Sequence, residues 1–433
     1  MVGNIENNWL FFSSLITIII TVISFIIQKS NFDRFFILFF NISLFIYSGY
    51  GIAGSYIKKD FYLYFFVFLV CINFSYILTT NLTIKKNSIN VNTFNFDKFI
   101  RNEKILKIII LTFFLTLILP LMFPNLRLID LIKPPTPSTQ QLFLNRLISN
   151  TNSILYIGKT IQLLLLPFFF IYIKKCIDLN KNYQWIILYF LYTYLKFLEF
   201  GYLSRNEMVG YICLFITMLM TVKSFKKYRI FFFIIILGGL ILSVPFFVHY
   251  QESRIGGLAT QSSYFEYVNT LLASEGFYPM YYNQIINMKN LISPFLYLLW
   301  LVFLIIPTKI FPLKPTLSIN EIFTYQVTGM RQGDHLYSIQ LPSLVGESLM
   351  IYGTHFFWIH AVFLGSFSAI LFTLYKKYPT LRFWLIYLAI SFIKIPRGGS
   401  QGFIAEALNG SVGLIIAFLI YNFIKSTGWR KNV

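Results

Sequence analysis

The chain has 433 residues, of which 57% are hydrophobic and only 12% charged. A soluble globular domain is close to a quarter charged, so this composition excludes an ordinary soluble enzyme and points to a chain dissolved in lipid. The formal net charge of +20 does not imply nucleic acid, because Lys and Arg beside membrane spans set topology whatever the acidic count.

Apolar blocks of about 18–20 residues, the length that crosses a bilayer core, recur along the chain. They predict spans near 9–27, 35–53, 61–79, 106–124, 154–173, 185–203, 207–222, 230–248, 348–374, 383–395 and 409–424. The fold class expected is therefore all-α: a polytopic transmembrane helical bundle of about 11 spans. Residues 1–433 form a single integral membrane domain. The first span lacks a basic leader and a small-residue cleavage site, so it reads as retained.

Basic residues cluster at Lys85–Lys104, Lys174–Lys181, Lys223–Arg229, Lys376–Arg382 and Lys425–Lys431. All fall on one side if the N-terminus is outside and the apolar run 290–307 does not cross; that run is then a re-entrant or interfacial helix. Residues 249–347 become a large periplasmic loop. A loop of that length is costly to keep and usually functional. The three cysteines are scattered and odd in number, which gives neither a disulfide framework nor a zinc site. No Asp-x-Asp pair occurs, and no cofactor is expected.

Polar residues in expensive places carry the chemistry. Lys196 and Glu199 can pair on one helix face. The tight turn Ser204-Arg205-Asn206-Glu207 puts Arg205 at the outer interface, where it either snorkels to headgroups or faces a phosphate. Gln251-Glu-Ser-Arg-Ile-Gly-Gly257 carries Arg254 beside two glycines. In Pro396-Arg-Gly-Gly-Ser-Gln-Gly402, Arg397 and adjacent backbone N–H groups can cradle phosphate oxygens. Met330-Arg-Gln-Gly-Asp-His-Leu336 holds Arg331, Asp334 and His335, the one histidine in a polar context. His335 is a candidate base, and Glu347 is its competitor. His355 and His360 read as packing or interface residues.

Three stretches carry a family resemblance. Ile305-Ile-Pro-Thr-Lys-Ile-Phe-Pro-Leu-Lys-Pro315, with Lys314, is similar to the apolar helix and Pro-x-Lys-Pro element of the Wzy-type O-antigen polymerases. Leu341-Pro-Ser-Leu-Val-Gly-Glu-Ser-Leu-Met-Ile-Tyr-Gly353 resembles that family's Gly-Glu followed by an aromatic-Gly stretch, and Ser204-Arg205 resembles its Ser-Arg turn. Thr308-Lys309 departs from the family's Pro-Arg pair, and Ser348 to Tyr352 lacks the usual Asn-Phe.

The resemblance implies a GT-C-like fold and an O-antigen polymerase, a metal-independent glycosyltransferase of lipopolysaccharide biosynthesis in the bacterial inner membrane. Its substrates and partners would be undecaprenyl-pyrophosphate-linked oligosaccharides, membrane lipids and a chain-length regulator, with no nucleic acid. By analogy with the related ligases, Arg205 and Arg254 bind the substrate and His335 is the catalytic base. Glu347 is the alternative base, and Arg397, Arg331 and Lys314 are further substrate-binding candidates, with no metal taking part. An O-antigen ligase and a lipid-linked oligosaccharide flippase are the alternatives.

Overall fold

The computed structural model describes residues 2–50, 60–86, 103–119, 153–200, 205–222, 263–268, 278–287, 292–306, 317–331 and 339–426, with single residues between 231 and 248 and at 311, 313 and 334. No strand occurs among the described residues. The helices in chain order are α1 (Val2–Ile27), α2 (Asn31–Leu44, continued by the π-helical turn Phe45–Tyr50), α3 (Asp60–Lys86), α4 (Glu103–Ile118), α5 (Ser153–Asp178), α6 (Asn182–Phe200) and α7 (Arg205–Leu219). Then follow α8 (Tyr282–Asn287), α9 (Pro294–Phe303), α10 (Ile319–Thr328), α11 (Ser343–Phe356), α12 (Trp358–Lys376), α13 (Arg382–Ile393), α14 (Ile395–Gly398) and α15 (Gln401–Ser426).

Five stretches are long and apolar enough to cross a membrane: Asn31–Tyr50, Phe61–Thr83, Ile157–Asp178, Trp358–Lys376 and Gln401–Ile420. The chain is thus a helical membrane protein, and its surface agrees. On α3 the residues Leu63, Val70, Phe74, Leu78 and Leu82 form one exposed stripe, apolar where a soluble protein would be charged. The interior instead holds amides. Asn73 Nδ2 donates to Asn41 Oδ1 at 2.9 Å, and Asn41 Nδ2 donates to Thr21 Oγ1 at 3.0 Å. Lipid tails are as apolar as a leucine, so helix pairing here rests on close packing and such polar glue.

Close packing is clearest where α15 crosses α5. A Cβ on Gly413 would lie 2.0 Å from the Leu164 carbonyl oxygen, a backbone atom that cannot swing aside. Gly413→Leu is therefore expected to separate the two helices and cost about 1–3 kcal/mol or more. A thermal unfolding curve in detergent checks this; an unshifted midpoint would show that the crossing is not under compression. Aromatic rings fill the remaining interior. Phe36 of α2 meets Phe372, Tyr76 and Phe392 at centroid distances of 5.0, 5.1 and 5.3 Å, which joins α2, α12, α3 and α13.

Ion pairs join helices at one end of the bundle. Lys376 pairs with buried Asp33, which also accepts the Tyr76 hydroxyl at 2.6 Å. Lys181 reaches Glu103 at 3.4 Å. The turn Pro379–Leu381 after Lys376 packs against α5, the helix that leads to Lys181. Basic residues far apart in sequence come together at this end of the bundle. His360 stands at the other end of α12 from Lys376, about 24 Å away by helical rise.

One element differs from the sequence reading, and the run 290–307 is half-length as read. The expected span 348–374 is not continuous: the backbone breaks at Gly353 (φ 69°), and the membrane-length helix begins only at Trp358. The apolar run 290–307 holds the ten-residue helix α9. At about 15 Å it reaches halfway through a hydrocarbon core.

Candidate functional site

The end of the bundle opposite Lys376 is built around a buried carboxylate. Glu347 lies in α11, is 1% exposed, and belongs to a helix that precedes the Trp358–Lys376 span. The short helix α14 delivers the chain to Gly399 and Ser400, which close over it. Ser400 donates its backbone N–H to Glu347 Oε2 at 2.5 Å and its hydroxyl to Oε1 at 2.9 Å. Gly399 has φ 86° and ψ 171°, and a Cβ there would sit 2.7 Å from Glu347 Oε2. Only glycine lets the turn approach this closely.

Burial pushes the Glu347 carboxyl up to about 7, against the two Ser400 bonds that favour the charged form. The folded state therefore holds this proton more tightly than the unfolded chain. Stability from this group is full below the ordinary value near 4.5 and is lost as pH rises through about 7, a swing of about 3 kcal/mol. The melting temperature of the protein in detergent is expected to fall between those pH values. Glu347→Gln mimics the neutral acid, so it should flatten that dependence; an unchanged slope would assign the titration elsewhere.

A histidine continues the network. His360 of α12 is fully buried. Ser348 Oγ donates to the Leu344 carbonyl at 2.8 Å, so it accepts from His360 Nδ1, also at 2.8 Å. The ring proton is thus on Nδ1, and Nε2 is the acceptor. Tyr297 OH lies 3.1 Å from Nε2 and Ser400 Oγ 3.3 Å. With the Ser400 proton directed to Glu347, the tyrosine is the donor. Tyr297 comes from α9, so the half-length helix serves to bring one phenol into the core.

Described parts of the long loop fasten onto the same turn. Arg397 Nε donates to Tyr278 OH at 3.2 Å. Asn320 Nδ2 donates to the Gly398 carbonyl at 3.1 Å. Gln401 accepts the Ile319 N–H at 3.0 Å and donates to the Leu317 carbonyl at 2.9 Å. Tyr282 OH pairs with Ser343 Oγ at 3.0 Å, beneath α11. The described parts of the loop thereby pack against the Arg397 turn.

The structure brings two of the sequence-predicted residues, Glu347 and Arg397, onto one site. It changes the role read for the Gly-rich turn, because the Ser400 N–H is directed to a protein carboxylate rather than kept for a phosphate. Arg331 is exposed, with its guanidinium 4.9 Å over the Tyr325 ring and its backbone N–H bound to Asp334 Oδ2 at 2.6 Å. Arg205 opens α7, and its side chain lies outside the described residues, as do Arg254, Lys314 and His335. His355 is exposed, whereas His360 is central; the apolar helix around His360 hid it. No group of three metal-ligating side chains occurs among the described residues. No protein-family model, curated protein or solved structure matches the chain.

Proposed function

We propose that the chain is a membrane-embedded glycosyltransferase of the Wzy type. It would join lipid-linked oligosaccharide repeat units at the periplasmic face of the bacterial inner membrane, in O-antigen biosynthesis. The observation that carries this reading is the Arg397 turn, wrapped on a buried glutamate at one bundle end and packed against described parts of the long loop. A loop fastened onto a cationic turn suits a substrate that is anionic where it meets the membrane and extended beyond it. A transporter core has no use for so fixed a loop.

The reaction follows from that chemistry. The acceptor sugar hydroxyl attacks the anomeric carbon of the donor glycan, the carbon–oxygen bond to undecaprenyl pyrophosphate breaks, and the hydroxyl proton passes to a base. Negative charge grows on the departing pyrophosphate. Arg205, Arg254 and Arg397 are the cations to receive it, since a guanidinium binds phosphate oxygens through a planar two-pronged fork. Lys314 and Arg331 add positive charge to the loop. His335 takes the proton, and Glu347 positions the Arg397 turn.

Lipopolysaccharide banding in a deletion strain tests the reading. Loss of a polymerase leaves a band of core plus one repeat unit. Bare core would move the protein to the ligase or flippase reading. In a complemented strain, Arg205→Ala and Arg254→Ala are expected to abolish long chains at normal protein level, with Arg→Lys restoring them only in part. Normal long chains from Arg205→Ala would return that residue to headgroup anchoring.

A further inference from the structure

Three segments far apart in sequence meet at one guanidinium. Arg397 Nε donates to Tyr278 OH at 3.2 Å. The Tyr278 ring packs on Tyr47, with centroids 6.2 Å apart and planes at 52°. Tyr278 opens the short turn Tyr278–Tyr281 and is 4% exposed. Tyr47 belongs to the π-helical turn Phe45–Tyr50 that continues α2.

Turns of the π type are rare and occur mostly at functional sites. This one packs against the Tyr278–Tyr281 turn, against α14 and against α11. Just before it, Ser43 Oγ donates to the Ile393 carbonyl at 2.7 Å, at the end of α13 that leads into the Arg397 turn. Within it, a Cβ on Gly49 would lie 2.9 Å from the Phe65 ring of α3. Tyr47 is therefore carried by a turn wedged among several elements, and the Tyr278 ring rests on it.

A guanidinium is planar, so a hydrogen bond at Nε restrains the whole fork and not one donor alone. A donor held before the anion arrives does not have to be ordered at the moment of binding. The kind of partner matters as much as its place. A carboxylate would hold Nε but would repel an incoming phosphate. A phenol accepts the same bond and stays neutral at ordinary pH, so the positive charge of the fork is kept.

We propose that Tyr278 is a positioning residue: its phenol oxygen, backed by the π-turn of α2, sets the orientation in which the Arg397 guanidinium meets the pyrophosphate of a prenyl-linked substrate. The inference rests on the reading of Arg397 as a pyrophosphate ligand. Banding in cells tests the transferase reading and binding of a prenyl pyrophosphate tests the positioning, so each can fail alone.

The test is calorimetric titration of farnesyl pyrophosphate into the full-length protein in nanodiscs. The wild type is expected to bind this probe, Arg397→Lys about tenfold more weakly, and Tyr278→Phe about three- to tenfold more weakly. Phenylalanine keeps the ring on Tyr47, so the melting temperature of Tyr278→Phe should stay close to the wild type. The double variant separates positioning from a structural role. Lysine has carbon where arginine has Nε, so Tyr278→Phe should cost nothing further in an Arg397→Lys background. A merely structural tyrosine would add its full loss there. Wild-type affinity in either single variant, additive losses in the double variant, or no binding by the wild type overturns the assignment. A binding loss in Tyr278→Phe that comes with a lowered melting temperature would make the hydroxyl a contact of the fold and overturn it equally.

Discussion

Gly399→Ala is expected to abolish long-chain glycan and to lower the melting temperature sharply, whereas Gly398→Ala, one residue earlier, leaves both near normal. A Cβ at Gly398 meets nothing within 4 Å. At Gly399 the backbone takes φ 86° and ψ 171°, a region essentially closed to other residues and costing about 1–3 kcal/mol. The added carbon also falls 2.7 Å from Glu347 Oε2 and 3.2 Å from its Cδ. The turn must then lift, and both Ser400 bonds to the carboxylate stretch or break. Bonds to a charged group are worth about 1.5–3 kcal/mol each, and a buried carboxylate without them is worse than no carboxylate. The combined loss is at the upper end for a single substitution. Arg397 sits two residues away, so its aim changes with the turn. Circular-dichroism melting and lipopolysaccharide banding read the two effects. Wild-type values for Gly399→Ala would mean that the Glu347 wrap is not rigid.

Local patterns were legible in the sequence, and contacts between distant segments were not. Apolar runs located α3, α5 and α15 because a span has to be apolar along its whole length whatever surrounds it. The short run 383–395 likewise corresponds to α13. The break before Trp358 went unread because the residues on either side of it are mostly apolar; hydropathy is blind to a backbone turn, and Gly353 alone is weak punctuation. Glu347 was singled out from its neighbours in sequence, and Arg397 from its glycines. That they share a site depends on a contact across 53 residues, which no periodicity encodes. His360 was read as packing because its helix is apolar all round. Its meaning comes from Ser348, Ser400 and Tyr297, one from α11, one from the turn and one from the loop.

The identity of the base is the second large effect. His335→Ala is expected to lower turnover by about 10²–10⁴-fold while leaving affinity for the lipid-linked substrate close to normal. Glu347→Gln should keep most of the turnover. The structure bears on Glu347, while His335 lies outside the described residues. A general base must reach the proton it removes, directly or through one water. Glu347 is 1% exposed, and both of its oxygens accept from Ser400, so an incoming hydroxyl would first have to unseat the turn. Glutamine at that position can still accept the Ser400 N–H and can donate to its hydroxyl, which then turns to His360 Nε2. The wrap survives, and with it the aim of Arg397. An imidazole in water has a pKa near 6.5 and is mostly neutral at pH 7. Wild-type turnover should therefore drop as pH falls below that value, because only neutral imidazole accepts a proton. A purified assay with a defined lipid-linked repeat unit measures all of this. Near-normal turnover in His335→Ala, together with a loss in Glu347→Gln at unchanged melting temperature, would transfer the base to Glu347 and require the turn to open in every catalytic cycle.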